Sequence, residues 1–305
     1  MPAPVFGSRS AAPPPGGTVL AIGNFDGVHL GHRAILRSLV ELAAELGASP
    51  WIYTFDPAPT AVVAPSRHQP RISTLATRVR RLVEGGAAQV VVEAFPPAFA
   101  AVPAEAFART ILGDALHVRG LVVGHDFRFG SGRGGDGAAL AGWLPGVVVR
   151  EVGAVQVNGH PVSSSRVRKK LAIGDVEAVT RLLGAPTVLT GEVVRGFARG
   201  RTIGFPTANV AAEEELIPAH GVYAVRVELD GALLPGVCNI GVRPTFDGEK
   251  VSVEVHLLDF AGDLYGRRLE VQLIARLREE RRFSGLDALV AQIAADAAEA
   301  RARLA

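Results

Sequence analysis

Apolar residues in the first part of the chain fall in short runs at 18–22, 51–55, 89–92, 121–124 and 147–152. Between them, 33–46 and 78–84 repeat apolar residues at helical spacing. Short apolar runs alternating with 3.6-periodic stretches read as strands alternating with helices, which implies a mostly parallel α/β sheet with covering helices. Such sheets bind ligands beyond the carboxyl ends of their strands. From about residue 185 the rhythm changes. Period-two stretches at 187–194, 222–229, 236–240, 251–258 and 269–277 are separated by turn signals such as Asp230-Gly231 and Asp247-Gly248. This pattern predicts a closed antiparallel β-barrel. An Ala-rich stretch, 286–304, then predicts one long terminal helix. Gly184-Ala185-Pro186 is the expected boundary, giving domains at 18–184 and 185–305. Residues 1–17 hold five prolines and three glycines and are expected to form a flexible tail.

Composition narrows the function classes. The formal net charge is +2, so no broad cationic field points to nucleic acid; basic residues cluster instead near 166–170 and 195–201. No apolar run reaches membrane-spanning length. A single cysteine, Cys238, can form no internal disulfide, and no Cys/His spacing suggests zinc. A reducing cytoplasm, with Cys238 as a small buried hydrophobe, is the expectation.

The first candidate constellation is Ala21-Ile-Gly-Asn-Phe-Asp-Gly-Val-His-Leu-Gly-His32, between a strand and a helix. Gly23, Gly27 and Gly31 let backbone approach a ligand, and the helix start offers free N–H groups for phosphates. His29 and His32, three apart, share a face and are placed to stabilise charge on a phosphate under attack. An isolated His-x-x-His would more often be a capping pair. The full string, however, resembles the His-x-Gly-His signature of nucleotidylyltransferases. Its Gly-Asn-Phe-Asp-Gly-Val-His form is similar to the prokaryotic bifunctional riboflavin kinase/FAD synthetase family. Thr54-Phe-Asp-Pro57 resembles that family's second-strand motif, where Asp56 and Pro59 stand in place of the usual Glu and later His. Val123-Gly-His-Asp-Phe-Arg-Phe-Gly130 and Ser163-Ser-Ser-Arg-Val-Arg168 resemble two more of its motifs, Ser165 replacing a Thr. The resemblance implies nucleotide or flavin contacts at Gly23, Asn24, Phe25, Asp26, Gly31, Asp126, Ser163, Ser164 and Ser165, with Arg166 beside the histidines. Read on its own, Ser163–Arg168 is equally a serine cap before a basic helix. Gly130-Ser-Gly-Arg-Gly-Gly135 matches a dinucleotide fingerprint, which raises a nicotinamide oxidoreductase as a rival. It starts too far beyond the 121–124 strand, and these glycines are expected to form a mobile loop.

The second constellation is Gly191-Glu-Val-Val-Arg-Gly-Phe-Ala-Arg-Gly-Arg-Thr-Ile-Gly-Phe-Pro-Thr-Ala-Asn209. Its glycines expose N–H donors suited to phosphate, and Thr207 and Asn209 offer oxygens suited to Mg²⁺. Gly-Phe-Pro-Thr-Ala-Asn resembles the riboflavin kinase barrel, as do Asn239-Ile-Gly-Val-Arg-Pro-Thr245, Glu254-Val-His-Leu257 and Leu277-Arg-Glu279. That resemblance implies Mg–ATP contacts at Thr207 and Asn209, nucleotide or flavin contacts at Gly196, Gly200, Arg201, Gly204, Phe205 and Pro206, and Glu254 as catalytic base. By alternation alone, Ser252, Glu254 and His256 are equally a solvated strand face. The implied fold is a Rossmann-like nucleotidyltransferase domain followed by a riboflavin kinase-like barrel. The implied chemistry uses Mg²⁺ and ATP to convert riboflavin to FMN and FMN to FAD, with no nucleic-acid or membrane partner. A flavin-binding regulator with dead sites is the non-enzymatic alternative, against which His29, His32, Asn209 and Glu254 together argue.

Overall fold

The computed structural model describes residues 2–196, 200, 203–245 and 248–305, apart from the side chains of 243–250. Contacts divide the chain into two compact units, Met1–Ser163 and Ser164–Ala305.

The first unit is a six-stranded sheet built from β1 (Val5–Phe6), β2 (Thr18–Ile22), β3 (Ser49–Phe55), β4 (Gln89–Glu93), β5 (Val118–Gly124) and β6 (Val148–Val152). All pairings are parallel, in the order β1-β4-β3-β2-β5-β6. β2 is buried along its whole length because both faces are covered. Val19 and Ala21 face Leu36, Leu39 and Leu42 of helix α1 (Leu30–Leu46). Leu20 and Ile22 face Phe107, Leu112 and Leu140 on the other side. Each fully buried aliphatic side chain contributes roughly 1.5–3 kcal/mol. The strand order reverses between β2 and β5, so the crevice at their carboxyl ends is the place for a ligand.

The N-terminal segment is not the flexible tail its composition suggests. Val5 and Phe6 pair with Val91 and Val92, Gly7 N donates to Val92 O, and Ser8 N donates to Glu93 Oε2 at 2.8 Å. Two residues are too few to show a period, but β4 offers an unpaired edge that their backbone satisfies. Residues 130–135 likewise form a closed turn instead of a mobile loop. Phe129 and Gly135 exchange both backbone hydrogen bonds at 3.0 Å, and Gly130 (φ 73°) lies against Ala104 where no side chain fits. A short two-stranded hairpin, β7 (Gln156–Val157) and β8 (His160–Pro161), completes the unit.

The second unit is a closed barrel of β9 (Thr187–Val194), β10 (Ala208–Ala212), β11 (Gly221–Leu229), β12 (Ala232–Thr245), β13 (Gly248–Leu257) and β14 (Arg268–Arg278). The order is β10-β13-β12-β11-β14-β9, with every pairing antiparallel. β10 joins the five strands expected from periodicity; it follows Pro206-Thr207 and is too short and too evenly buried to alternate. Asp230 and Gly231, both at positive φ, make the two-residue hairpin between β11 and β12. Asp247 lies outside the described residues. Alternate residues such as Val225, Cys238, Val255 and Val271 fill the barrel, and Cys238 is a buried free thiol. The terminal helix Leu286–Leu304 packs Ala300 and Leu304 on the outside of β11, β12 and β14. Arg278 on β14 pins it through paired hydrogen bonds to the buried Asp296 carboxylate, at 2.9 and 2.8 Å.

The units meet earlier than the Gly184-Ala185-Pro186 signal, because the helices Ser164–Ala172 and Val176–Leu183 belong to the barrel unit. Val176 sits in the barrel core, and Leu171 O accepts from Ala219 N. A turn signal marks where a helix ends, not which core it packs on.

Candidate active sites

The β2–β5 crevice opens into a cavity of about 650 Å³. Gly23, Asn24, Phe25 and His32 form one side of it, and Gly124 and Asp126 another. His29 is the N-cap of α1: its Nδ1 accepts from His32 N at 3.3 Å, so the neutral ring carries its proton on Nε2. The two imidazoles stack with centroids 3.7 Å apart. Burial lowers the His29 pKa to about 4; burial and then the neighbouring His29 push His32 down as well. At neutral pH the pair is therefore uncharged. His32 Nδ1 has no hydrogen-bond partner among the described residues. Two ring N–H groups at a helix start, with the positive end of the helix dipole behind them, suit the oxygens of a phosphate.

The loop that carries them is strained. Phe25 (φ 49°) and Val28 (φ 46°) adopt left-handed backbone, at a cost of about 1–3 kcal/mol each. Both side chains are buried, which helps hold them there. Asp26 serves the backbone: both its oxygens accept from Ile72 N, at 3.0 and 3.2 Å. Arg78, on the helix Leu75–Glu84, is buried and donates to Asn24 O at 3.0 Å and Phe55 O at 3.1 Å. Asp56, the departure from the family motif, pairs with Arg71 at 3.1 Å and Arg78 at 3.8 Å; Pro59 lines the cavity. Arg78 was visible in the sequence only as one basic position on a helix; its burial is a property of the packed loop.

Phenylalanines line the same cavity. Phe55, Phe95 and Phe99 meet edge to face at 5.3 and 5.5 Å, and Phe127 stacks on Phe129 at 5.4 Å. Five of the 13 phenylalanines fall between 95 and 129, a clustering legible in the sequence without any motif. The cavity thus has one face for a planar aromatic group and another for anions. Asp126 is exposed at its rim. Ser163 ends the first unit, whereas Ser164, Ser165 and Arg166 form the first turn of a helix in the second.

In the barrel unit, Glu254 on β13 is directly opposite Asn209 of β10 and Asn239 of β12. Val253 and Val255 point into the core, so this row lies on the barrel's outer face. Cross-strand neighbours are about 4.5–5.5 Å apart at Cβ, close enough for three polar side chains to act on one ligand. Asn209 is buried, and Gly196 lies over it: a Cβ there would stand 2.6 Å from the amide carbon. Gly200 O accepts from Ile203 N and Phe205 N, shaping the turn into Gly204 (φ 87°). Pro206 O meets His256 Nδ1 at 2.8 Å, and Phe205 packs edge-on to the His256 ring. Pro206 and Thr207 line a second cavity of about 540 Å³ with Asp263 and Tyr265. Nothing in the local sequence around Asn239 marks it for a role; only the strand register brings it beside Glu254. Arg201 lies outside the described residues.

Comparison with known proteins finds two families in the chain, one over each kind of sheet. Residues 12–166 match the family model described as FAD synthetase, and residues 183–304 the one described as riboflavin kinase. A Pseudomonas fluorescens protein named bifunctional riboflavin kinase/FMN adenylyltransferase is 44% identical, over 98% of this chain and 96% of its own. The similarly named Escherichia coli (strain K12) protein is 44% identical over 94% and 93%, and that of Bacillus subtilis (strain 168) 37% over 93% and 91%. A crystal structure titled macrolide-efflux protein, from Streptococcus pneumoniae, superposes with a TM-score of 0.90 at 32% identity, covering 98% of both chains. Among the described residues of this chain, no helix is long and apolar enough to cross a membrane. With two family models covering the two kinds of fold and relatives aligned end to end, the chain belongs to the bifunctional riboflavin kinase/FMN adenylyltransferase family.

Proposed function

We propose that this chain phosphorylates riboflavin to FMN and then adenylylates FMN to FAD, using ATP in each step. The observation that carries the reading is the presence of both family matches in one chain, at 12–166 and 183–304. A reducing, cytoplasmic setting fits the single buried cysteine.

In the kinase step, the riboflavin 5′-hydroxyl attacks the γ-phosphorus of ATP and ADP leaves. Glu254 accepts the hydroxyl proton, and its place beside Asn209 and Asn239 supports that role. Gly196, Gly200, Gly204, Phe205 and Pro206 shape the nucleotide site, with Arg201 from the same motif. Thr207 and Asn209 supply neutral oxygens. Among the described residues no group of three or more His, Cys, Asp or Glu gathers as a metal cage. That donor set fits Mg²⁺ shared with substrate phosphates. When bound, Mg²⁺ neutralises phosphate charge; the protein's own part is positioning and proton transfer.

In the second step, an FMN phosphate oxygen attacks the α-phosphorus of ATP and pyrophosphate leaves. His29 and His32 donate to the phosphates as their charge builds, and the motif resemblance gives Ser163, Ser164, Ser165 and Arg166 a phosphate-binding role. Gly23, Asn24, Phe25 and Asp126 line the pocket that would take nucleotide and flavin, Gly31 lies in the first turn of α1 between the two histidines, and Asp26 holds its loop. The functional boundary we propose is 184/185. Incubation of the purified chain with riboflavin, ATP and Mg²⁺, followed by chromatography, should show FMN and then FAD. Absence of both products from folded protein would overturn the reading.

A further inference from the structure

The helix Leu75–Glu84 and the segment before it grip the signature loop at three points. Ile72 N donates to Asp26, Arg81 donates to Gly27 O at 3.4 Å, and Arg78 donates to Asn24 O. Arg78 is the central one. It is 3% exposed, and its second guanidinium nitrogen donates to Phe55 O, at the end of β3. Thr54 Oγ1 adds a bond to the same Asn24 carbonyl, at 3.3 Å. Asn24 and Phe55 both line the 650 Å³ cavity, and His29 follows Asn24 within the strained turn. A buried arginine is costly unless its planar fork is met by acceptors; here the two terminal nitrogens are met by a carbonyl of the loop after β2 and one at the end of β3, while Nε has no partner among the described residues.

We propose that Arg78 is a positioning residue for FMN adenylylation: by bridging Asn24 O and Phe55 O it sets where the His29–His32 pair stands relative to the flavin pocket. The proposal rests on the adenylylation reading of this site. A lysine retains the charge opposite Asp56 but presents no planar fork for both carbonyls, so Arg78→Lys separates geometry from charge. A misplacement of about 1 Å costs up to about 100-fold in rate. Expected for Arg78→Lys in the full chain is a fall in kcat for FMN adenylylation of roughly 10–100-fold. The KM values for ATP and FMN should stay near wild type.

Riboflavin phosphorylation in the same preparation serves as the internal control and should be unchanged. Folding of the first unit is followed by tryptophan emission, since Trp51 and Trp143 both lie in it. Independently of turnover, the His29 and His32 imidazole NMR resonances should move in Arg78→Lys. Arg78→Met, lacking charge and fork alike, should lose at least as much kcat per folded molecule. Wild-type kcat per folded molecule in Arg78→Lys, or unmoved His29 and His32 resonances, overturns the positioning role. A wild-type chain that makes FMN but no FAD instead sinks the adenylylation reading, and the positioning role falls with it.

Discussion

Replacing His29 with Asn tests whether the histidine pair is as desolvated as its packing implies. In the folded chain burial holds the His29 pKa at about 4, against 6.5 for an exposed histidine. Between those two pH values the unfolded chain binds the extra proton, so acid favours unfolding. The penalty is nearly absent at pH 7, grows as pH falls through 6.5, and saturates below about 4. From these two pKa values, the loss between pH 7 and pH 5 is about 2 kcal/mol for His29 alone. His32 shifts in the same direction and adds to it. His29→Asn keeps the cap, because Asn is a favoured N-cap whose side-chain oxygen can take the His32 N–H, but it has nothing to titrate. It also lifts the lowering that His29 imposes on His32. The assay is urea unfolding at pH 7 and pH 5 under tryptophan-selective excitation. Both tryptophans report the first unit, so unfolding of the barrel does not obscure it. The wild-type chain should lose about 2 kcal/mol more than His29→Asn on going to pH 5. Equal losses in the two proteins would refute the buried, neutral pair.

Three further outcomes are expected. Glu254→Gln should lower single-turnover FMN formation by about 10²–10⁴ while FAD formation from added FMN stays near wild type; an unchanged phosphoryl-transfer rate removes Glu254 as base. Gly196→Ala puts a methyl group against the Asn209 amide and should cut riboflavin phosphorylation but not adenylylation, as product chromatography would reveal. A fragment of residues 164–305 should make FMN from riboflavin and melt higher than one of 185–305. The shorter piece lacks Val176, Val179, Leu182 and Leu183, each buried and worth roughly 1.5–3 kcal/mol. Equal melting temperatures for the two fragments would show that those helices do not stabilise the barrel.

The chain's own periodicity determined the elements that span a full repeat. The run at 18–22, the helical spacing through Leu46, the alternation along 187–194 and the helix 286–304 all stand where local pattern put them. Asp230-Gly231 likewise specified its hairpin, because few residue pairs accept positive φ twice in succession. Motif chemistry marked His29, His32, Asn209 and Glu254, since those residue types were already legible. Tertiary structure alone decided the rest. Val5 and Phe6 became a strand because β4 had an open edge, not because two residues carry a period. Val176 joined the barrel core although a turn signal after it suggested the other domain. Arg78 became a buried clamp because the carbonyls of Asn24, in the loop after β2, and Phe55, at the end of β3, converge on it. Asn239 came to lie beside Glu254 through strand register, which places residues distant in the chain directly opposite one another. The phenylalanine wall depends on turns that fold 95–129 over the sheet end. In each case the deciding interaction joins residues far apart in sequence, so no local window contains it.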